Sequence, residues 1–206
     1  MDSPLPVLDL FDFAYIGTPP WDIGRPQAAF VGLADQGLVH GRVLDAGCGT
    51  GELALDLARR GHDVVGLDAS HIAIARAQRK ASERGVAATF VVGNVLNLPP
   101  PPQLFDTVVD CGLFHFFPRP LQRRYVESLA RAVSPGGLVH LLCFSDKETA
   151  AIGPWRVSRP EIELAFHAGW RVHEVREARF ESRGQPSGAR AWLATVVRLP
   201  QTTWLH

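Results

Sequence analysis

The sequence predicts an α/β protein built on a mainly parallel sheet. Short apolar runs of strand length alternate with amphipathic helical stretches, the signature of βαβ units. A glycine-rich turn, Gly47-Cys48-Gly49-Thr50-Gly51, separates one such run from a helix, where open α/β sheets bind nucleotides. The chain has 206 residues, 46% hydrophobic and 20% charged, enough for one α/β domain with a full core.

In chain order, a short helix is expected near Val7–Tyr15, then a loop through Gly17-Thr18-Pro19-Pro20-Trp21. A second helix is expected from Arg25-Pro26-Gln27 to about Gln36, with Pro26 at the favoured first position and Gly37 ending it. The run through Val43-Leu44-Asp45 is the first strand, and Glu52–Arg60 the helix behind the turn. Asp63–Asp68 reads as the second strand. Ser70 is the N-cap of a helix over His71–Arg84, closed by Gly85. Ala87–Gly93 is the third strand, Pro99–Pro102 a stiff extended connector, and Phe105–Cys111 the fourth strand. Leu121–Val133 is a helix stopped by Ser134-Pro135-Gly136-Gly137, and Leu138–Phe144 the fifth strand. A short helix over Glu161–Ala168 precedes two alternating segments, Trp170–Glu177 and Arg190–Arg198. The loop between them, Glu181–Gly188, lacks a helical pattern, so the two can pair as a hairpin. No repeat or second domain is visible: residues 1–37 read as a lid or cap and 38–200 as the core.

Composition excludes several classes. Formal net charge is zero, with 21 basic and 21 acidic residues, so there is no electrostatic footprint for nucleic acid or an anionic membrane. Cys48, Cys111 and Cys143 are widely spaced and odd in number, which argues against a disulfide framework and for a reducing cytoplasm. No His/Asp/Glu grouping has metal-ligand spacing. The N-terminus lacks the basic region of a signal peptide, and the longest apolar run, Leu138–Phe144, is too short to span a bilayer. A monomer or weak dimer is expected.

The loop itself narrows the ligand. Counting from Gly47, the third glycine of the dinucleotide fingerprint would fall at Glu52, and no lysine follows Gly51 as a P-loop requires. Asp45 and Glu52 bracket the turn instead. Carboxylates repel a pyrophosphate and favour a cation, so the loop suits a positively charged nucleoside.

The stretch Asp45-Ala46-Gly47-Cys48-Gly49-Thr50-Gly51-Glu52 resembles the first motif of the class I S-adenosylmethionine-dependent methyltransferases. The resemblance implies a three-layer Rossmann-like methyltransferase fold, its seven-stranded, mainly parallel sheet having an antiparallel last strand. It also implies S-adenosyl-L-methionine as cofactor and S-adenosyl-L-homocysteine as product. The cofactor would be held by Asp45, the loop residues Gly47, Cys48, Gly49, Thr50 and Gly51, Asp68 at the ribose with Ala69 beside it, Asn94 and Val95 at the adenine, and the Cys111 backbone. The family often has aspartate where this chain has Asn94, whose carbonyl oxygen still accepts a hydrogen bond; an ordinary Asx turn competes with that reading. The segment Pro20-Trp21-Asp22-Ile23-Gly24-Arg25-Pro26-Gln27 is similar to small thiopurine-methyltransferase-like enzymes, including bacterial ones acting on quinones and heterocyclic aromatics. Cys143–Asp146 and Trp155–Ser158 are similar too, and the likeness runs from about Phe11 to Val197. It implies that Trp21 and Arg25 close over the methionine end, Arg25 at its carboxylate.

Direct methyl transfer needs water exclusion, alignment and, for some acceptors, proton removal. Phe13, Tyr15, Phe114, Phe117 and Trp155 are the candidate walls of an aromatic acceptor pocket. His115 is the candidate general base for a hydroxyl, or a hydrogen-bond guide for a thiol or ring nitrogen; a half-buried structural histidine is the alternative. The expected activity is methylation of an O, N or S atom of a small aromatic or heterocyclic acceptor. A cofactor-binding module without activity and an NAD(P)-dependent oxidoreductase remain as alternatives.

Overall fold

A computed structural model describes residues 5–150 and 153–200. Helices α1 (Leu5–Ile16) and α2 (Ala28–Asp35) precede an alternating core: β1 (Arg42–Ala46), α3 (Glu52–Arg59), β2 (Asp63–Asp68), α4 (His71–Arg84), β3 (Thr89–Val92), β4 (Phe105–Cys111), α5 (Arg119–Leu129), β5 (Val133–Phe144) and α6 (Arg159–Ala165). The hairpin β6 (Trp170–Ser182) and β7 (Gln185–Arg198) ends it. Single 3₁₀ turns lie at Val95–Asn97 and Phe114–Phe116.

The seven strands form one sheet in the order β3-β2-β1-β4-β5-β7-β6. Neighbours pair parallel except β7, which runs antiparallel to both β5 and β6. The order reverses between β1 and β4, so the crevice at their carboxyl ends is the ligand position of an open α/β sheet. Successive strand residues serve opposite faces. Val43, Val109 and Leu142 pack with Phe30, Leu33, Leu55, Leu57 and Ile74 on the α2–α3–α4 side. Leu44, Val108 and Leu141 pack with Tyr125, Leu129 and Ile162 on the α5–α6 side. These are the three layers expected. Among the described residues, no helix is long and apolar enough to cross a membrane.

Local signals place most boundaries. The Ser70 hydroxyl accepts from Ala73 N at 3.1 Å, capping α4, and Gly85 closes it in the left-handed region. Four expectations need correction. Pro26 is not the first residue of α2: Gln27 is the N-cap, and its amide is spent on two bonds to the Glu181 main chain. The helix over Leu121–Val133 is shifted, spanning Arg119–Leu129 with Pro120 in its first turn. Ser134-Pro135-Gly136-Gly137 does not precede the fifth strand but lies inside β5, which pairs Val133 with Phe105 and then skips to Leu138 opposite Thr107. Glu181–Gly188 is not a loop: the ladder continues to Ser182↔Gln185, leaving a two-residue turn at Arg183-Gly184.

The glycine turn is held by its neighbours. Gly47 N and Cys48 N both donate to Leu67 O of β2, at 2.8 and 3.0 Å, and Gly51 N donates to Cys48 O. Gly51 has φ +83°, and a β-carbon there would sit 2.8 Å from the Phe90 ring and 2.9 Å from Ala77 Cβ. Gly51→Ala is therefore expected to destabilise the protein by about 2 kcal/mol or more, from strain plus displaced packing; thermal or urea unfolding against wild type checks it.

Candidate active site

The loop presents bare backbone toward the crevice, and an acid reaches it from β2. Asp68 Oδ2 accepts from Gly49 N at 2.8 Å and its Oδ1 from Ser70 N at 2.8 Å, with Ala69 N adding a third bond. Asp68 is thus fastened to the underside of the turn, while Ala69 beside it stays half-buried. The other acids behave differently from the sequence reading. Glu52 does not project a free charge at the loop: burial opposes its ionisation, but Arg84, through two bonds of 2.8 and 2.9 Å, and Lys80 outweigh it and hold the carboxyl low. Asp45 lies beneath the turn, 1% exposed, with a bond from the Ala54 main chain and no partner for Oδ2.

The segment after α1 folds across this loop as a strap. The Tyr15 hydroxyl lies 2.6 Å from where a Gly49 β-carbon would be, so only glycine permits the approach. Trp21 Nε1 donates to that hydroxyl at 3.0 Å, and the two rings meet edge-on. Thr50 donates its hydroxyl proton to Asp22 at 3.0 Å and accepts from Lys80 at 2.7 Å. Asp12 accepts from Ser70 Oγ and Ile72 N, and Arg76 donates to Gly17 O. The far end is tied to the β6–β7 turn. Glu181 accepts twice from Arg25, at 2.8 and 2.9 Å, and once from Ala28 N, while Arg183 donates to Pro20 O and Asp22 O. Arg25, expected at the methionine carboxylate, is therefore occupied by a carboxylate of the chain itself.

Beyond the strap lies an aromatic cluster centred on His115, which is 1% exposed. Its ring lies 4.9 Å from Phe144, 5.1 Å from Phe116 and 5.6 Å from Phe180, measured between centroids. Phe116 also packs against Phe11 and Trp21, joining the cluster to the strap. His115 Nδ1 accepts from Phe144 N at 2.9 Å, so Nε2 carries the ring proton. Burial, reinforced by the nearby Arg156 cation, lowers His115 to about 3. The expected general base is instead a neutral ring whose one lone pair is already used.

The candidate walls divide. Tyr15 sits at the loop rather than across from it, because α1 lies beside α4. Phe114 and Phe117 turn into the core against Tyr125, Phe114 also stacking on Phe166, and offer no surface to a pocket. Phe13 and Trp155 are exposed, at 74% and 65%, though Trp155 N donates to His115 O and so borders the cluster. Asn94 Oδ1 accepts from Leu96 N, the Asx-type cap of the 3₁₀ turn, and Val95 behind it is buried. Cys48 and Cys111 are half-buried, and burial pushes both thiols up, so neither is an activated nucleophile. Phe116, Phe144, Phe180, Asp12, Lys80 and Glu181 were not singled out from the sequence; only topology brings them to one place.

Three strand-end acids converge here. Burial, then repulsion from Asp68 and Asp110, raises Asp45 to about 8, and burial raises Asp110 to about 7. A carboxyl raised in the folded state favours folding only while protonated, so its contribution is full below the unfolded value and is lost as pH climbs through the folded one. Asp45→Asn removes that loss. In ligand-free thermal scans the variant is expected to gain on wild type steadily between about pH 4 and about pH 8. A difference independent of pH would show that Asp45 is ionised throughout.

The comparisons with known proteins agree with this geometry. The methyltransferase domain family model matches residues 43–137. A 2-heptyl-1-hydroxyquinolin-4(1H)-one methyltransferase of Mycobacteroides abscessus is 40% identical over 190 residues, covering 85% of this chain and 82% of that one. A probable thiol methyltransferase 2 of Arabidopsis thaliana is 32% identical over 149 residues, covering 71% of this chain and 66% of the relative. A solved structure from work on the conversion of a disulfide bond into a thioacetal group during echinomycin biosynthesis superposes with a TM-score of 0.85 at 38% identity, over 93% of each chain. Magnesium protoporphyrin IX methyltransferase from Synechocystis PCC 6803, solved with bound S-adenosylmethionine, shares the fold at a TM-score of 0.69 and 22% identity, over 96% of this chain and 100% of that one. The oxidoreductase alternative falls away. With its crevice at the β1–β4 reversal and its bare glycine turn, the chain belongs to the class I S-adenosylmethionine-dependent methyltransferases and takes S-adenosylmethionine as its cofactor.

Proposed function

We propose that the protein methylates an O, N or S atom of a small aromatic or heterocyclic acceptor by direct in-line displacement. The observation that carries this reading is a continuous aromatic lining: Tyr15 over the glycine turn, Trp21 of the strap against it and against Phe116, and the His115–Phe144–Phe180 rings beyond. A hydroxylated quinolone and a thiol are the substrates named for two relatives, and both classes fit an apolar, ring-lined site.

The residues present fit the cofactor. With no side chain at Gly49, main chain is left for a ligand once Tyr15 moves off it, and no lysine waits for a phosphate. Asp68 has acceptor capacity left for ribose hydroxyls after its three main-chain bonds. Ala69 and Val95 border the adenine position, and Asn94 is left with its amide donors and a second lone pair. Asp45, with an unpartnered oxygen under the turn, favours a cationic ligand above it. When bound, the cofactor supplies an electrophilic methyl group on a sulfonium. The chain's own part is to align the acceptor and keep water away. Tyr15 covers the Gly49 face, so the strap has to lift to admit a ligand and then close with Trp21 against Phe116.

A labelled-cofactor screen of phenols, thiols and N-heterocycles, with mass spectrometry of the product, tests the reading; transfer to none of them would overturn it. Asp68→Ala is expected to weaken S-adenosylhomocysteine binding by about 2 kcal/mol, or roughly 30-fold, from lost charged hydrogen bonds. Calorimetry showing unchanged affinity would remove Asp68 from the site. Glu181→Ala frees the strap at its hairpin end and is expected to speed S-adenosylhomocysteine release about tenfold in stopped-flow measurements, with Tm little changed because the ion pair is exposed.

A further inference from the structure

Among the described residues, His115 is a donor surrounded by rings and faced by no free base. Its Nδ1 is committed to Phe144 N, and Nε2 has no hydrogen-bond partner among the described residues. The elements packed around it supply rings: Phe116 from the 3₁₀ turn, Phe144 from β5 and Phe180 from β6. The charge that bears on it is the Arg156 guanidinium, which lies over the Phe144 ring at 5.2 Å and donates to Pro154 O and Ala150 O. At the end of β4, Gly112 opens the space where His115 Cε1 and the Phe180 ring approach, and Cys111 beside it keeps its thiol proton.

The nearby acids are engaged elsewhere. Asp110 Oδ1 accepts from Leu113 N and Phe114 N, and its Oδ2 is buried facing Tyr125. Glu181 is filled by Arg25 and Ala28 N, Asp12 by Ser70 and Ile72 N, and Asp22 by Thr50. Asp45 lies under the glycine turn and Asp68 is fastened to it. Among the described residues, a neutral hydroxyl would therefore find no free proton acceptor on the acceptor side. An anion would meet an N–H donor and a cation.

We propose that His115 Nε2–H donates a hydrogen bond to the acceptor atom, and that the acceptor is an acidic hydroxyl or thiol that arrives as its anion. This rests on the methyl-transfer reading above. The anionic oxygen or sulfur forms the bond to the methyl carbon. The carbon–sulfur bond of the sulfonium breaks with its electron pair left on sulfur, giving a neutral thioether, and no proton remains to be removed.

The test uses 4-nitrophenol, whose anion has its own absorption band, titrated with pH in the presence of the full-length protein saturated with S-adenosylhomocysteine. No turnover is needed. The bound phenol is expected to ionise about one pH unit below the free phenol. His115→Phe should abolish that shift, and His115→Gln, which keeps an N–H donor, should restore part of it. Unchanged S-adenosylhomocysteine affinity in both variants shows that the fold is intact. An unshifted or raised midpoint in wild type, or no binding of 4-nitrophenol, overturns the proposal. In a second arm, the pH profile of kcat/KM is measured for phenols of graded acidity. The rising limb should follow each phenol's own ionisation, whereas one limb shared by all would reveal an enzyme base and refute the proposal. Transfer that succeeds with a shared limb sinks this inference alone; absence of transfer to every acceptor sinks the functional reading with it.

Discussion

The site depends on one main-chain contact. Leu67 O, at the end of β2, receives both Gly47 N and Cys48 N, and the next amide, Gly49 N, goes to the Asp68 carboxylate. Three consecutive amides of the turn are thus clamped to the neighbouring strand. That clamp works only because β1 and β2 are in parallel register, with Ala46 opposite Leu67. A slip of the pairing would move the turn away from its anchor and point the β1 side chains to the wrong layers. The β1–β2 pairing is therefore what holds bare backbone open to a ligand, and the two core clusters on either face of the sheet fix the pairing.

The strap is built on a different principle. Tyr15 and Trp21 contribute buried aromatic area, but the rest of its attachment is a set of single hydrogen bonds and exposed ion pairs spread over α4, the glycine turn and the hairpin end. Each such contact is worth roughly 1 kcal/mol or less net of solvent. The strap is thus held by many weak bonds rather than by the sheet's own core. Phe180, next to Glu181, also faces His115, so the hairpin that holds the strap is continuous with the acceptor wall.

What the sequence discloses is what is decided locally. The strand–turn–helix at residues 43–59, the Ser70 cap and the Gly85 stop are all set by residue type and spacing, and they are found where expected. The Ser134–Gly137 bulge was hidden because it is defined by β4 across the sheet, not by its own residues, which read as a plain stop. The hairpin itself was expected, but its full length was hidden because charged residues such as Arg179, Glu181 and Arg190 interrupt the apolar alternation near its turn. In the 3₁₀ turn, direction reverses within one residue: Phe114 and Phe117 enter the core while Phe116 meets the strap. Arg25 and Glu181 are 156 positions apart, beyond any local pattern. The His115 tautomer was not legible, since it is set by an amide 29 positions away.

The strand-end acids explain why such a site is poised rather than restful. Asp45, Asp68 and Asp110 close neighbouring strands of a parallel sheet, and topology alone brings them together. Burial and mutual repulsion make full ionisation costly, so in the free protein Asp45 is expected to keep its proton near neutrality and leave Oδ2 without a partner. A protein selected only for stability would replace these residues with amides or apolar side chains of similar size, as buried charges rarely stabilise a fold. Their presence is intelligible if a cationic ligand supplies their counter-charge. A sulfonium and an ammonium above the glycine turn would relieve the repulsion and return the stabilisation as binding energy. On this view the repulsion among the clustered acids and the preference for a cationic nucleoside over a polyphosphate are one property, written into which strands end side by side.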